Sequence, residues 1–225
     1  VSAQLPLDLA QRPALERGDF LVAAANREAV AWIDRWPGWP SRGLAVHGPA
    51  ASGKSHLVQV FAAKSGAWIT QAATLTRDDP PRLSQAPALA IEDIENLADE
   101  RALLHLLNMA AEASCLVLLT AKSAPARWRV ALPDLRSRLL ALQAAEIQPP
   151  DDSLLAAVLM KMFADRQIRV GAEAIEFALG RIERSFEAAR RLAETADALA
   201  LARKRNVTVP LLREALEAME GRETP

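Results

Sequence analysis

Residues 48–55 read Gly48-Pro49-Ala50-Ala51-Ser52-Gly53-Lys54-Ser55, a set whose types and spacing can hold a polyphosphate. They fit the pattern G-x-x-x-x-G-K-[ST] of a phosphate-binding loop. Glycines permit a tight turn whose successive backbone N–H groups point at an anion. In such a loop Lys54 reaches the β- and γ-phosphates, and the Ser55 hydroxyl holds Mg²⁺. Pro49, Ala50, Ala51, Ser52 and Gly53 supply the cradle's backbone, and His56 follows at the head of the next element. The same residues could also be a glycine-containing turn with a surface lysine. The flanks argue for the loop. Gly43-Leu-Ala-Val-His47 reads as a short buried strand and residues 56–64 as a helix, which is the setting the motif needs. A helix N-terminus at this point adds partial positive charge.

A phosphate loop needs a carboxylate near its metal. Ala88-Leu-Ala-Ile91 reads as an apolar strand that runs into Glu92 and Asp93. Glu92 is the candidate metal ligand, through Mg²⁺, and Asp93 a candidate catalytic acid; the alternative is a pair of solvated acids at a strand end. His47, His56 and His105 lack metal-ligand spacing and read as structural.

These groups must be positioned by a sizeable core, and the chain can build one. It has 225 residues, 51% of them hydrophobic, so it reads as globular, either one domain or a main domain with a small appendage. Its 27 Lys and Arg nearly balance 28 Asp and Glu, and a net charge of −1 gives no bulk attraction to nucleic acid or anionic membrane. The single cysteine, Cys115, lies in an apolar run and cannot pair within the chain, which fits a reducing cytoplasm. Charges or turn residues interrupt every apolar run, so no membrane span is expected.

Helical pattern begins near Asn26, a candidate N-cap, and stops at the turn Trp36-Pro-Gly-Trp-Pro-Ser41. Further strands are expected at 66–70, 115–120 and 141–147, a helix at 99–113, and a loop at 78–81. Alternating strands and helices imply an α/β fold, a parallel sheet with helices on both faces. Composition shifts at Gln148-Pro-Pro-Asp-Asp152. Helices then fit 151–166, 172–181, 185–204 and 210–220, the first capped by Asp152 or Ser153. The expected organisation is an extended arm over 1–19, a nucleotide-binding domain over 20–149 and a small all-helical lid over 150–225.

A parallel sheet with a phosphate loop, two acids after the third strand and a helical lid resembles the AAA+ ATPases, and within them the DnaA subgroup. Leu132-Pro-Asp-Leu-Arg-Ser-Arg-Leu139 is similar to that subgroup's arginine-finger segment, which makes Arg138 the finger that points at a neighbouring subunit's nucleotide. Phe20-Leu21-Val22 with Asn26-Arg27 resembles the opening where backbone and apolar groups hold adenine. The tail from Val207 to Leu212 looks like the end of the family's lid. No residues follow for the helix-turn-helix with which DnaA reads origin DNA, so no direct sequence-specific DNA binding is expected. The leading Gln4-Leu5-Pro-Leu7-Asp-Leu9 resembles the short peptide that bacterial proteins insert into the β sliding clamp. Together these features resemble the Hda family. That resemblance implies a cytoplasmic regulator that binds ADP or ATP with Mg²⁺, sits on the clamp, and promotes hydrolysis of DnaA-bound ATP. A homodimer or higher AAA+ assembly is implied as well.

Three positions depart from a hydrolytic pattern. Glu92 stands where relatives usually have Asp, and Lys122 where they tend to have an acid, which leaves Thr120 as the polar sensor. Glu187 aligns with the lid's sensor arginine. A carboxylate beside a γ-phosphate is repulsive, so Glu187 must turn away or the site must favour ADP. Weak intrinsic ATPase activity follows. Two other readings stay open: a helicase-loader-like ATPase, and an adaptor in which nucleotide is structural. Arg138 also has an ordinary reading, as part of a surface ion-pair cluster with Asp134 and Arg136.

Overall fold

The computed structural model describes residues 22–220, without the side chain of the last. Gln4, Leu5, Leu7, Leu9, Phe20 and Leu21 lie outside the described residues. The elements are α1 (Arg27–Asp34), β1 (Gly43–His47), α2 (Lys54–Ser65), β2 (Trp68–Gln71), α3 (Pro80–Leu83), β3 (Ala88–Glu92), α4 (Glu100–Glu112), β4 (Leu116–Ala121), α5 (Pro133–Leu140) and β5 (Gln143–Glu146). They continue with α6 (Asp152–Asp165), α7 (Ala172–Leu179), α8 (Phe186–Arg203) and α9 (Val209–Glu220).

The strands make one parallel sheet in the order β2-β3-β4-β1-β5. Both faces of its central strands are apolar, because helices cover both. Leu44, Val46, Ala88, Ala90 and Leu118 pack on one side with Ala29 and Ile33 of α1 and Leu57 and Phe61 of α2. Their strand neighbours Ala45, Leu89, Ile91, Val117 and Leu119 point the other way, onto Leu103 and Leu106 of α4 and Leu135 of α5. The order places β4 between β1 and β3, so the loops leaving their carboxyl ends are neighbours. Open parallel sheets bind ligands at such a place.

Phe61 is fully buried. Its ring stacks on Trp39 at 5.4 Å and meets the edge of Trp36 at 6.3 Å. The Trp39 indole N–H donates to Trp32 O at 2.7 Å, and Lys64 Nζ donates to Ile33 O at 3.2 Å and Asp34 O at 2.6 Å. The tryptophans therefore pack α1 against α2, the helix behind the phosphate loop. Phe61→Ala is expected to cost about 3–5 kcal/mol, through lost burial and the cavity left behind. Urea denaturation checks it.

Two local expectations need correction. Residues 78–81 are not wholly loop: Pro80 begins the helical turn α3, because proline suits a helix's first positions. Asp151, not Asp152 or Ser153, caps α6; its backbone is extended and its carboxylate accepts the Leu154 N–H at 2.7 Å. Asp152 pairs instead with Arg184, at 2.7 and 3.0 Å. The finger-like segment, which carried no expected conformation, lies mostly in helix α5.

Helices α6 to α9 enclose a third apolar cluster, including Leu155, Leu159, Phe163, Leu192 and Leu212, to which no sheet residue contributes. Among the described residues no helix is long and apolar enough to cross a membrane.

Candidate phosphate-binding site

The loop between β1 and α2 is clamped by the strands on either side of β1. The Gly48 N–H donates to Ala121 O at the end of β4, at 3.2 Å, and the Ile147 N–H beyond β5 donates to His47 O at 2.7 Å. A Cβ on Gly48 would lie 2.1 Å from Ile147 O, so only glycine fits here. Ala51 (φ 55) and Gly53 (φ 94) then turn the chain through left-handed conformations into the first turn of α2.

Ser52 is buried at 1% exposure, and its Oγ has no hydrogen-bond partner among the described residues. A buried hydroxyl normally has a partner, and a phosphate oxygen in the loop would supply one. Lys54 is also buried. Its Nζ donates to Gly48 O at 2.9 Å and Pro49 O at 2.6 Å, folded back over its own loop. Burial pulls the Lys54 ammonium below the ordinary lysine pKa; Glu95, then Asp93, oppose that, Lys122 adds to it, and Glu92 opposes it least. The residues present thus fit a polyphosphate: a buried cation with one donor to spare, a hydroxyl with no partner among the described residues and the N-terminus of a twelve-residue helix converge on one turn. Ser55 is exposed beside them, as are Pro49 and Ala50, while His56 is half-buried.

The acids arrive from β3. Glu92, 6% exposed, accepts from Gln71 Nε2 at 3.2 Å. Asp93 takes a left-handed backbone (φ 57), and its N–H donates to the hydroxyl of buried Thr120 at 3.3 Å. Thr120, on β4, therefore fixes the turn that presents the acids. The structure brings Ser52, Lys54, Glu92, Asp93 and Thr120 to one end of the sheet.

At the adenine-like opening, Val22 is 47% exposed. Asn26 stands at the N-cap of α1 but makes no capping bond; its Oδ1 turns back to accept the Ala23 N–H at 2.8 Å. A cavity of about 240 Å³ lies beside this segment, lined by Ala24, Ala25, Glu28, Glu146 and Gln148 among others.

Arg138 is exposed on α5, whose buried face is Leu135 and Leu139. Among the described residues it forms no ion pair, and neither do Arg136 and Asp134, so the surface cluster is not formed. It also makes no hydrogen bond to the phosphate-loop residues.

Two contacts escaped the sequence reading. The Phe186 N–H donates to Ala51 O at 3.2 Å, and a Cβ on Gly53 would be 3.2 Å from the Phe186 ring, so the start of α8 rests on the loop. Only the N-cap Ser185, whose Oγ accepts the Ala188 N–H at 3.1 Å, marked that helix start in sequence. The other contact joins Glu95 to Lys122, which stand 27 residues apart. Glu187 is held by Arg190 at 2.5 Å, and that guanidinium keeps its carboxyl below the usual range; Arg190 also binds Glu194 at 2.7 Å.

No family model matches the sequence, and no curated protein matches it. Solved structures do. Domain III of the replication initiation protein DnaA from Thermotoga maritima superposes with a TM-score of 0.79 at 16% identity, covering 92% of this chain and 97% of that one. A replication initiator DnaA bound to AMPPCP and single-stranded DNA gives 0.70 at 17% identity, over 94% of this chain and 69% of that one. A RuvB mutant from Thermotoga maritima gives 0.71 at 16% identity, over 87% and 69%. At these identities the likeness establishes the fold alone: a five-stranded parallel sheet with helices on both faces, as in these structures.

Proposed function

We propose that this chain is an adenine-nucleotide-binding AAA+ regulator of replication initiation of the Hda type. The carrying observation is the phosphate cradle: buried Lys54 and partnerless Ser52 in a loop clamped at Gly48. It stands in a fold shared with DnaA domain III, and DnaA in one similar structure carries AMPPCP.

Bound ATP or ADP would bring phosphate oxygens and Mg²⁺ to the cradle. The chain's own part is to bind and orient. Backbone N–H groups of 50–55 and the Lys54 ammonium would hold the phosphates, Ser55 and Glu92 would hold the metal, and Val22 and Asn26, with Phe20 and Leu21 from outside the described residues, would contact adenine. Asp93 and Thr120, joined by the bond from the Asp93 N–H to the Thr120 hydroxyl, would serve beside Glu92. The organisation proposed is an arm over 1–19, a body over 20–149 and a lid over 150–225, in a cytoplasmic homodimer or larger assembly. Glu187, engaged with Arg190, supplies no cation to the phosphates, and turnover in the chain's own site is expected to stay below about 1 s⁻¹, under the usual enzyme range. The catalytic contribution is instead Arg138, directed at ATP bound by DnaA. An arginine that no described residue holds in an ion pair, on an exposed helix face, suits that role.

Gln4-Leu5-Pro-Leu7-Asp-Leu9 is the proposed clamp peptide. Leucines fill an apolar pocket while the glutamine amide bonds at its edge. Affinity of the isolated peptide should be about micromolar, since a short segment must be ordered on binding. Gln4→Ala, or Leu7→Ala with Leu9→Ala, is expected to abolish binding to immobilised clamp in surface plasmon resonance while ADP binding stays intact. Unchanged clamp binding would make the arm an ordinary tail.

The function is tested by following hydrolysis of ATP preloaded on DnaA, with this protein added, with and without DNA-loaded clamp. Stimulation that needs the clamp is expected. Turnover by the isolated protein at about 1 s⁻¹ or above would favour a loader-like ATPase. Clamp binding without stimulation would favour an adaptor.

A further inference from the structure

We propose that the cavity between the end of α8 and the start of α9 is a second anion site, and that it takes the phosphate backbone of duplex DNA without reading its sequence. The inference goes beyond the nucleotide reading and does not depend on it.

The place is remote from the phosphate loop. Helix α8 meets that loop at its first turn, where the Phe186 N–H bonds Ala51 O. Its 18 residues then carry the chain about 27 Å away. There a cavity of about 400 Å³ opens, lined by Arg203, Lys204, Arg205, Asn206 and Thr208 among others. The turn that carries the cations is tied down. The Lys204 N–H donates to Leu201 O at 3.3 Å and the Arg205 N–H to Ala200 O at 3.0 Å, and Val207 is buried just beyond them. Lys204 takes a left-handed backbone, φ 51 and ψ 45. Glycine is the usual residue at such a helix end, because a Cβ is strained there. The lysine is exposed, so packing does not call for it. What it adds over glycine is charge.

Cations at the end of a helix complement its dipole, and Arg203 also pairs with Glu214 of α9. Glu214 is the one acid among the described residues that line the cavity. Lys204 and Arg205 have no ion-pair partner among the described residues. Neither has Arg213, which lies one turn along α9 from Pro210 at the cavity wall and rests its guanidinium 5.6 Å from the Phe177 ring. Three exposed cations are thus left for a partner outside the described chain. The lining says what kind. The Asn206 amide and the Thr208 hydroxyl stand beside the cations, the mixture of donors that holds nucleic-acid phosphates. Arginine forks match phosphate oxygens two at a time. Among the described residues no aromatic ring lines the cavity to stack an unpaired base, so the backbone of a duplex fits better than a single strand. A net charge of −1 gives the chain no long-range attraction to DNA, so the contact is local and weak by itself.

Fluorescence anisotropy of a short labelled duplex, titrated with the full chain at salt from about 50 to 200 mM, tests this. Three phosphate contacts predict that log K falls with log salt at a slope of about −3, the same for duplexes of unrelated sequence. Lys204→Gly, Arg205→Ala and Arg213→Ala should each reduce the slope by about one, and together should weaken binding by about tenfold or more at the lowest salt. Lys204→Arg should keep slope and affinity. Arg136→Ala, which removes a cation elsewhere on the surface, should change affinity by no more than about twofold. Glycine relieves the left-handed backbone, so Lys204→Gly should melt no lower than wild type, which separates lost charge from lost fold. Absence of duplex binding at about 50 mM salt, or an unaltered slope in the triple variant, overturns the inference. So does tighter binding of the single strand, of a polyglutamate peptide or of phosphatidylglycerol vesicles. ADP affinity should be the same in all these variants, so these outcomes leave the nucleotide reading standing.

Discussion

Arg138→Ala is expected to lower stimulated hydrolysis of DnaA-bound ATP by about 10³-fold or more, the scale of an arginine finger supplied in trans. Arg138 projects from the exposed face of α5 while Leu135 and Leu139 anchor the other face in the core, so truncation removes charge without removing packing. The guanidinium carries a permanent charge in a planar fork that matches developing charge on a transferring phosphoryl group. Nucleotide binding in the chain's own site and binding to the clamp should both survive, because Arg138 bonds no residue of the phosphate loop. Arg136→Ala is the internal comparison: exposed on the same helix, it is expected to leave stimulation within about twofold, since surface substitutions away from contacts do little. Single-turnover measurement with ATP preloaded on DnaA reads the effect. Wild-type stimulation by Arg138→Ala would remove the finger from the account.

Lys54→Ala is expected to weaken ADP and ATP by about 100-fold or more, since a charged hydrogen bond contributes roughly 1.5–3 kcal/mol and a polyphosphate takes more than one. Stability should change little. The lysine is desolvated where it lies, which lowers its pKa, and its bonds to the carbonyls of Gly48 and Pro49 offset only part of that burial. Thermal melting without nucleotide should therefore nearly match wild type, while the rise in Tm that nucleotide gives wild type should vanish. Unchanged ADP affinity would contradict the cradle.

The phosphate loop was legible because each of its residue types answers a local backbone demand. Gly48 meets a carbonyl where no Cβ fits, and Gly53 takes a left-handed turn. The core strands were legible from apolar runs bounded by turn residues. Helix α5 was not: it spans only Pro133–Leu140 and buries two leucines, too little for a period to show. Asp151, Asp152 and Ser153 are all competent caps, and the extended backbone of Asp151 selects it, which composition does not encode. The Glu95–Lys122 pair and the seat of Phe186 on Ala51 are tertiary facts. They depend on β4 standing next to β1 and on where α8 returns, and neither follows from spacing along the chain.

One measurement tests the central claim, that this cradle holds an adenine nucleotide, most directly. Isothermal titration of the full wild-type chain with ADP and Mg²⁺, run beside GDP, needs no partner protein. The account predicts saturable binding of one ADP per chain at about micromolar Kd or tighter, with GDP clearly weaker. Absence of saturable ADP binding up to about millimolar nucleotide, where binding free energy falls to roughly 4 kcal/mol, would contradict it.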